Sequence, residues 1–301
     1  MLNLKIKDIT FNSPIIAASG TFGYGDEFQK NIDLKKIGCI ITKSITIEKR
    51  IGNAHPRIIE STSGMLNSIG LANIGVENFC NNKLNELNKL KTHFIVSVAG
   101  TTFDDYTKVL ERIENCQGNH VGYEINVSCP NVKAGGMEFG INKDMIFELT
   151  SRLRKTTNKI LIIKLSPNVT NIEEIALSAE SAGADAISAV NTFLGTSIDY
   201  KTGKFILKTK FGGLSGPCIK PLALAKVHKI YNNVSIPIFG MGGVTNFTDI
   251  IEFLRVGSTM VQIGTLNYRD PSLLCNFYDK IKDYMIENKI INIMDLVGDH
   301  K

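Results

Sequence analysis

Eight short apolar runs constrain this chain more than any other feature of it. They fall at residues 14–18, 39–42, 94–98, 123–127, 160–165, 186–190, 236–240 and 260–263. Several lack polar–apolar alternation, the pattern of strands covered on both faces. Stretches with helical spacing lie between most of them. Residues 76–89 place Val76, Phe79, Leu84 and Leu87 on one face, and 104–115 do the same with Tyr106, Val109, Leu110 and Ile113. Further helices are predicted over 144–156, 172–182, 220–231 and 246–256. A last helix is expected to open with Asp270 as N-cap and Pro271 in the first helical position. Strands that alternate with helices build a parallel sheet. Eight of them predict an α/β fold closed as a (β/α)8 TIM barrel, with an open doubly wound sheet as the alternative.

Length and composition agree with one large domain. The chain has 301 residues, 43% of them hydrophobic and 21% charged, and barrels of this kind run to ~250 residues or more as one unit. No repeat, low-complexity tract or linker divides it, so residues 1–301 are read as a single domain. The net charge of +5 comes from scattered lysines. No basic stripe with interleaved aromatics is present, which argues against a nucleic-acid partner. No apolar run approaches the ~20 residues of a membrane span, and the first residues lack the apolar core of a signal peptide. A cytoplasmic location is therefore expected. The six cysteines form no C-x-x-C pair and no zinc spacing, so neither a metal site nor a cluster held by this chain alone is expected.

In a barrel, chemistry belongs at the C-terminal ends of the strands. Those ends carry Ser19, Lys43-Ser44, Ser97, Asn126 to Asn131, Lys164, Asn191-Thr192, Gly242-Gly243 and Gly264-Thr265. Amides, hydroxyls, glycines and two lysines converge there, and carboxylates are nearly absent. A glycosidase needs a carboxylate pair, and a metal hydrolase needs His and Asp/Glu ligands; neither set is available. Gly242-Gly243 allow backbone N–H groups to approach a phosphate at a helix N-terminus, although glycines also make plain tight turns. Asn246 and Thr245 are candidates to cap the helix that follows. Lys43 and Lys164 end buried strands, where an unpaired ammonium is costly. Each is expected either to meet an anion or to extend its charge to the rim. Cys129 stands before a proline at the mouth of the fourth strand. It reads as a buried small residue or as a reactive thiol, whose reference pKa of about 8.5 leaves some thiolate at neutral pH. Long segments at 44–92 and 191–217, the second with a hairpin expected around Thr202-Gly203, and a shorter one at 130–140, are candidate lids.

Taken together, these motifs resemble the class 1 dihydroorotate dehydrogenases over almost the whole chain. The most specific is Asn126-Val127-Ser128-Cys129-Pro130-Asn131-Val132-Lys133 with Gly135-Gly136. Ser63-Gly64-Met65-Leu66-Asn67-Ser68-Ile69-Gly70-Leu71 resembles the family's substrate loop. Gly212-Gly213-Leu214-Ser215-Gly216-Pro217, residues 236–244 and Val261-Gln262-Ile263-Gly264-Thr265 match as well. The resemblance implies one FMN per chain and oxidation of (S)-dihydroorotate to orotate in pyrimidine (UMP) biosynthesis. Cys129 would remove the C5 proton while hydride leaves C6 for the flavin. It implies a substrate pocket of Lys43, Asn67, Ser68, Ile69, Gly70, Leu71, Asn126, Asn131, Asn191 and Thr192. FMN contacts are implied for Ser19, Lys43, Ser44, Asn126, Lys164, Val190 and Gly216, with Gly242, Gly243, Gly264 and Thr265 at the phosphate. Where the pattern leads one to expect an asparagine on the third strand, the chain has Ser97, which has shorter reach toward the flavin.

The loop after Cys129 is most like that of the NAD-linked class 1B catalytic subunits. This implies a homodimer joined by an electron-transfer subunit that carries FAD and a 2Fe–2S cluster and passes electrons to NAD. A class 2 enzyme would use a serine base and an extra N-terminal segment. Three other readings stay open: a flavin reductase acting on another dihydropyrimidine, a non-catalytic barrel that binds flavin or a partner, and a non-redox isomerase or lyase with a phosphate-bearing substrate.

Overall fold

The structure, a computed structural model, describes residues 1–29, 32–127, 133–134 and 137–300. The chain begins with a short antiparallel hairpin, β1 (Leu4–Ile6) and β2 (Ile9–Phe11). Eight parallel strands follow and close into a barrel. They are β3 (Ile15–Ala17) and β4 (Cys39–Ile41), then, after the hairpin β5 (Ile58–Ser61) and β6 (Gly64–Asn67), β7 (His93–Val98) and β8 (Gly122–Asn126). Past a small pair, β9 (Lys133–Ala134) and β10 (Met137–Glu138), the barrel continues with β11 (Ile160–Lys164) and β12 (Ala186–Ala189). After β13 (Phe193–Thr196) and β14 (Phe211–Ser215) it ends with β15 (Ile238–Met241) and β16 (Met260–Ile263), and β16 pairs with β3. The closed alternative is therefore the correct one, and all eight strands read from the apolar runs are present.

Two apolar regions hold the barrel. Inside it, Ile16, Cys39, Ile41, Ile95, Ile162, Phe239 and Met260 pack together, and the N-terminal hairpin covers their lower end with Leu4, Ile6 and Phe11. Outside it, the other faces of the strands meet the inward stripes of the helices. This is why the runs show no alternation: both faces are buried. The helices are α1 (Val76–Asn78) continuing through a wide turn at Phe79–Lys83 into α2 (Leu84–Leu87), then α3 (Phe103–Glu114), α4 (Lys143–Thr156), α5 (Ile172–Ser181), α6 (Lys220–Tyr231), α7 (Phe247–Arg255) and α8 (Leu273–Glu287).

Local chemistry sets the ends of these elements. Thr102 and Asp105 form a capping box on α3, and Asn246 and Asp249 form one on α7. Asn246 is the cap, as expected; Thr245 instead donates to Asp249. Three expectations need correction. The run at 236–240 becomes strand only from Ile238, because Pro237 lacks the N–H a ladder needs and contributes only its carbonyl, to Ile187. The last helix begins at Leu273, not at Pro271: Asp270 accepts from the backbone and hydroxyl of Ser272 and caps the turn before the helix. The helix over 76–89 is not a regular α-helix, since Leu84 N–H bonds five residues back to Phe79.

The long segments build one structure. β13, β14, β6 and β5 form a four-stranded antiparallel sheet outside the barrel, with Gly213 opposite Asn67 and Leu214 opposite Phe193. The hairpin expected around Thr202-Gly203 is present: Asp199 exchanges backbone bonds with Lys204 and Gly203, and Gly203 takes φ of +67°.

Candidate functional site

The barrel strands and the added sheet surround a cavity of about 700 Å³. Ser19, Lys43, Ser44, Asn67, Ile69, Leu71, Asn126, Lys164, Val190, Asn191, Thr192, Gly216, Gly242, Gly243, Gly264 and Thr265 line it. Three residues proposed from sequence do not. Ser68 and Gly70 hold the loop that carries Ile69 and Leu71: Ser68 N–H donates to Arg57 O at 2.8 Å, and a Cβ on Gly70 would fall 2.6 Å from the Asn53 side chain. Ser97 is fully buried behind the wall. Cys129 and Asn131 lie outside the described residues.

Hydrogen bonds along the wall fix the polar side chains in series. Ser97 Oγ and Ser44 Oγ are 2.8 Å apart, and Asn126 Nδ2 donates to Ser44 Oγ at 3.5 Å. Asn191 Nδ2 donates to Asn126 Oδ1 at 3.3 Å, and Asn191 Oδ1 accepts from Thr192 N–H at 2.8 Å. Asn67 reaches the same cavity from the added sheet, its Nδ2 donating to Gly213 O at 3.3 Å. Leu71 is held at φ of +56°, a conformation costly for a side chain with a Cβ. Asn73 secures it, donating to Leu71 O at 2.7 Å and to Thr46 Oγ1 at 2.7 Å.

The two lysines differ in surroundings. Burial lowers the Lys43 ammonium from the usual lysine range, the Arg57 charge lowers it further, and Glu27 opposes both. Lys164 is nearly buried, and its Nζ lies 3.4 Å from the carboxylate of Glu124. Sequence reading missed Glu124, and with it Gln262, which also lines the cavity. The available signal was a polar residue at the centre of an apolar strand, Glu124 in β8 and Gln262 in β16.

The glycine rim has room for an anion. Gly243 takes φ of +80°, and a Cβ there would meet Gly216 O at 2.9 Å and Lys220 N at 2.8 Å, so only glycine lets these backbones come together. The N–H groups of Gly243 and Val244 have no partner among the described residues. Thr265 Oγ1 bonds to Ser215 Oγ at 2.8 Å beside them. Tyr268, whose phenol burial pushes up, donates to Gly20 O at 2.8 Å on the same side. Among the described residues no group of three His, Cys, Asp or Glu side chains is placed to hold a metal ion. The site therefore suits an extended ligand with a phosphate at one end, beside a small anionic molecule rich in hydrogen-bonding groups.

Comparison with known proteins gives the same assignment along the whole chain. Residues 1–285 match the family described as Dihydroorotate dehydrogenase. The protein from Geotalea uraniireducens named dihydroorotate dehydrogenase B (NAD(+)), catalytic subunit, is 43% identical over 297 residues, covering 99% of this chain and 97% of its own. Proteins of the same name from Porphyromonas gingivalis and Malacoplasma penetrans are 45% and 42% identical, covering 97% and 99% of this chain and 95% and 97% of their own. Among solved structures, dihydroorotate dehydrogenase from Eimeria tenella in complex with ferulenol superposes with a TM-score of 0.79 at 21% identity, covering 99% of this chain and 88% of that one. It shares the fold.

Proposed function

Because this chain belongs to the dihydroorotate dehydrogenase family, we propose that it oxidises (S)-dihydroorotate to orotate, a step of pyrimidine biosynthesis, with FMN in the barrel mouth. The observation that carries the reading is the convergence of Lys43, Asn67, Asn126 and Asn191 on one cavity with a glycine rim. The residues present fit FMN. The N–H groups of Gly243 and Val244 are free for a phosphate, with Gly242, Gly264 and Thr265 around it. Ser19, Ser44, Lys164, Val190 and Gly216 lie along the remaining wall. FMN, when bound, supplies the two-electron acceptor of the reaction.

The protein's own part is binding, orientation and proton transfer. Lys43 meets the substrate carboxylate, and the asparagines, with Asn131, meet the ring's amide and carbonyl groups. Ile69, Leu71 and Thr192 enclose the ring, with Ser68 and Gly70 supporting their loop. Cys129 takes the C5 proton as general base. Ser97 acts on the cofactor only through Ser44, which its hydroxyl touches. The names of the relatives, NAD(+)-linked catalytic subunits, support a further reading: electrons pass to NAD through a partner subunit. By resemblance to class 1B, that subunit would hold FAD and a 2Fe–2S cluster, around a homodimer of this chain. No helix among the described residues is long and apolar enough to cross a membrane, and we place the enzyme in the cytoplasm.

Substrate choice tests the reading. With an artificial electron acceptor, the purified chain should form orotate from dihydroorotate and leave dihydrouracil, which lacks the carboxylate, almost untouched. Equal turnover of the two would remove the assigned role of Lys43 and favour a reductase of another dihydropyrimidine. Pull-down from cells of the source organism should recover a flavin- and iron-containing partner; a chain that reduces NAD unaided would contradict the two-subunit reading.

A further inference from the structure

At the cavity wall and just behind it lies a layer of polar side chains, of which only Lys164 has a place in the chemistry above. Glu124 in the middle of β8, Ser188 in β12 and Gln262 in β16 are fully buried, and Lys164 ends β11. They converge on one carboxylate. Lys164 Nζ lies 3.4 Å from Glu124 Oε1, and Ser188 Oγ donates to Glu124 Oε2 at 2.8 Å. Gln262 Nε2 lies 2.8 Å from the same oxygen and 2.7 Å from Ser188 Oγ. Below this layer the barrel interior is apolar. A lone carboxylate there would be costly; this one has a cation and two neutral donors. Of the four residues, Lys164 and Gln262 line the cavity, and Glu124 does not.

We infer that Glu124 is a positioning residue, which fixes the Lys164 ammonium at the cavity wall and orients the amide of Gln262. The amide orientation follows from charge. Turned over, Gln262 would set its oxygen against the Glu124 carboxylate. As placed, Nε2 serves Glu124 and Ser188, and Oε1 remains an acceptor without a partner among the described residues. The pairing stands on this geometry alone. What Lys164 faces, the FMN, rests on the function proposed above.

The test removes the charge and keeps the shape. In Glu124→Gln, Lys164 loses its counter-ion, so its ammonium is held less strongly in the folded state than in the unfolded chain, where lysine titrates at ~10.4. The unfolded state then binds more protons, and stability rises with pH. For the full chain without added FMN, the denaturant midpoint of Glu124→Gln relative to wild type should climb as pH rises toward the range where lysine titrates, the unfolding constant changing by up to ~tenfold per pH unit. The extra dependence should vanish in the double variant with Lys164→Met. A Glu124→Gln curve parallel to wild type, or a double variant that keeps the slope, overturns the inference. If Glu124→Gln fails to fold, the double variant decides. A folded double supports the pairing, and an unfolded one means that Ser188 and Gln262 need the carboxylate whatever Lys164 does. With FMN added, the visible spectrum of Glu124→Gln should shift over the same pH range while that of wild type stays fixed; a fixed spectrum in both removes the link to the cofactor. Wild type that takes up no FMN would contradict the proposed function, and the denaturation comparison would still decide the pairing.

Discussion

Lys43 and Lys164 reach the same cavity, and their neighbours give them different behaviour. Lys164 has a carboxylate beside it, whereas Lys43 has Arg57, which adds to burial in lowering its ammonium below the usual range. The charge that would hold the substrate carboxylate is therefore lost earlier on the alkaline side than for an ordinary lysine. Substrate affinity should fall as pH rises through that depressed value, and Arg57→Ala should move the fall to higher pH. KM measured against pH in both proteins checks this; identical profiles would mean that Arg57 does not act on Lys43. A charge-assisted bond of this kind contributes ~1.5–3 kcal/mol, so Lys43→Ala should raise KM roughly ten- to a hundredfold. At this scale most of the cavity was legible, because residues at strand ends can be read once the strands are placed. Glu124 was not. It lies within a strand rather than at its end, and only its burial and its three partners give it meaning.

At the scale of elements, the added sheet decides whether the mouth is a pocket or an open rim. It joins segments nearly 150 residues apart, since Asn67 of β6 donates to the Gly213 carbonyl of β14 at a sequence separation of 146. Gly212 permits this approach, since a Cβ there would fall 2.7 Å from Asn67 O, and Gly213 lets the same strand lie against Thr192, whose Oγ1 would be 2.0 Å from a Cβ at 213. Gly213→Val should therefore displace β14 and Asn67 and leave the barrel closed. The expected result is a loss of kcat/KM on the order of 10- to 100-fold with an unchanged circular dichroism spectrum. Loss of the barrel signal would show that the sheet is needed for folding as well. The eight barrel strands were readable because burial on both faces writes a continuous apolar run. β5 and β6 were not, because they are four residues each and half-exposed, and β1 and β2 are three residues each. β1 with β2 and β5 with β6 are local hairpins, and only the pairing of β6 with β14 joins segments distant in sequence.

For the whole molecule, closure at the lower end and neutrality in the outer layer govern stability. Phe11 is fully buried in the N-terminal hairpin that covers the barrel interior. Phe11→Ala should cost about 3–5 kcal/mol by chemical denaturation; a loss under about 1 kcal/mol would mean that the hairpin only rests on the barrel. His120, bonded to Tyr123 at 2.7 Å, is pushed down to about 4, chiefly by burial and then by Lys159, with Glu114 opposing. In the unfolded chain a histidine titrates near ~6.5. Between these values the unfolded state binds the proton and the folded state does not, so stability falls as pH drops through this window, by an amount on the order of 3 kcal/mol. His120→Gln should flatten that slope, and a slope equal to wild type would place the acid sensitivity elsewhere.

Cofactor, substrate and base can be tested in one experiment. The purified chain, loaded with FMN, is mixed anaerobically with dihydroorotate while its visible spectrum is recorded, beside the variant Cys129→Ala. The oxidised flavin band should bleach in wild type and bleach far more slowly, by at least ~10²-fold, in the variant. A wild-type band that stays yellow would contradict the proposed substrate. Equal bleaching in both proteins would contradict the role of Cys129. Failure to take up FMN at all would contradict the proposed activity and leave only the barrel.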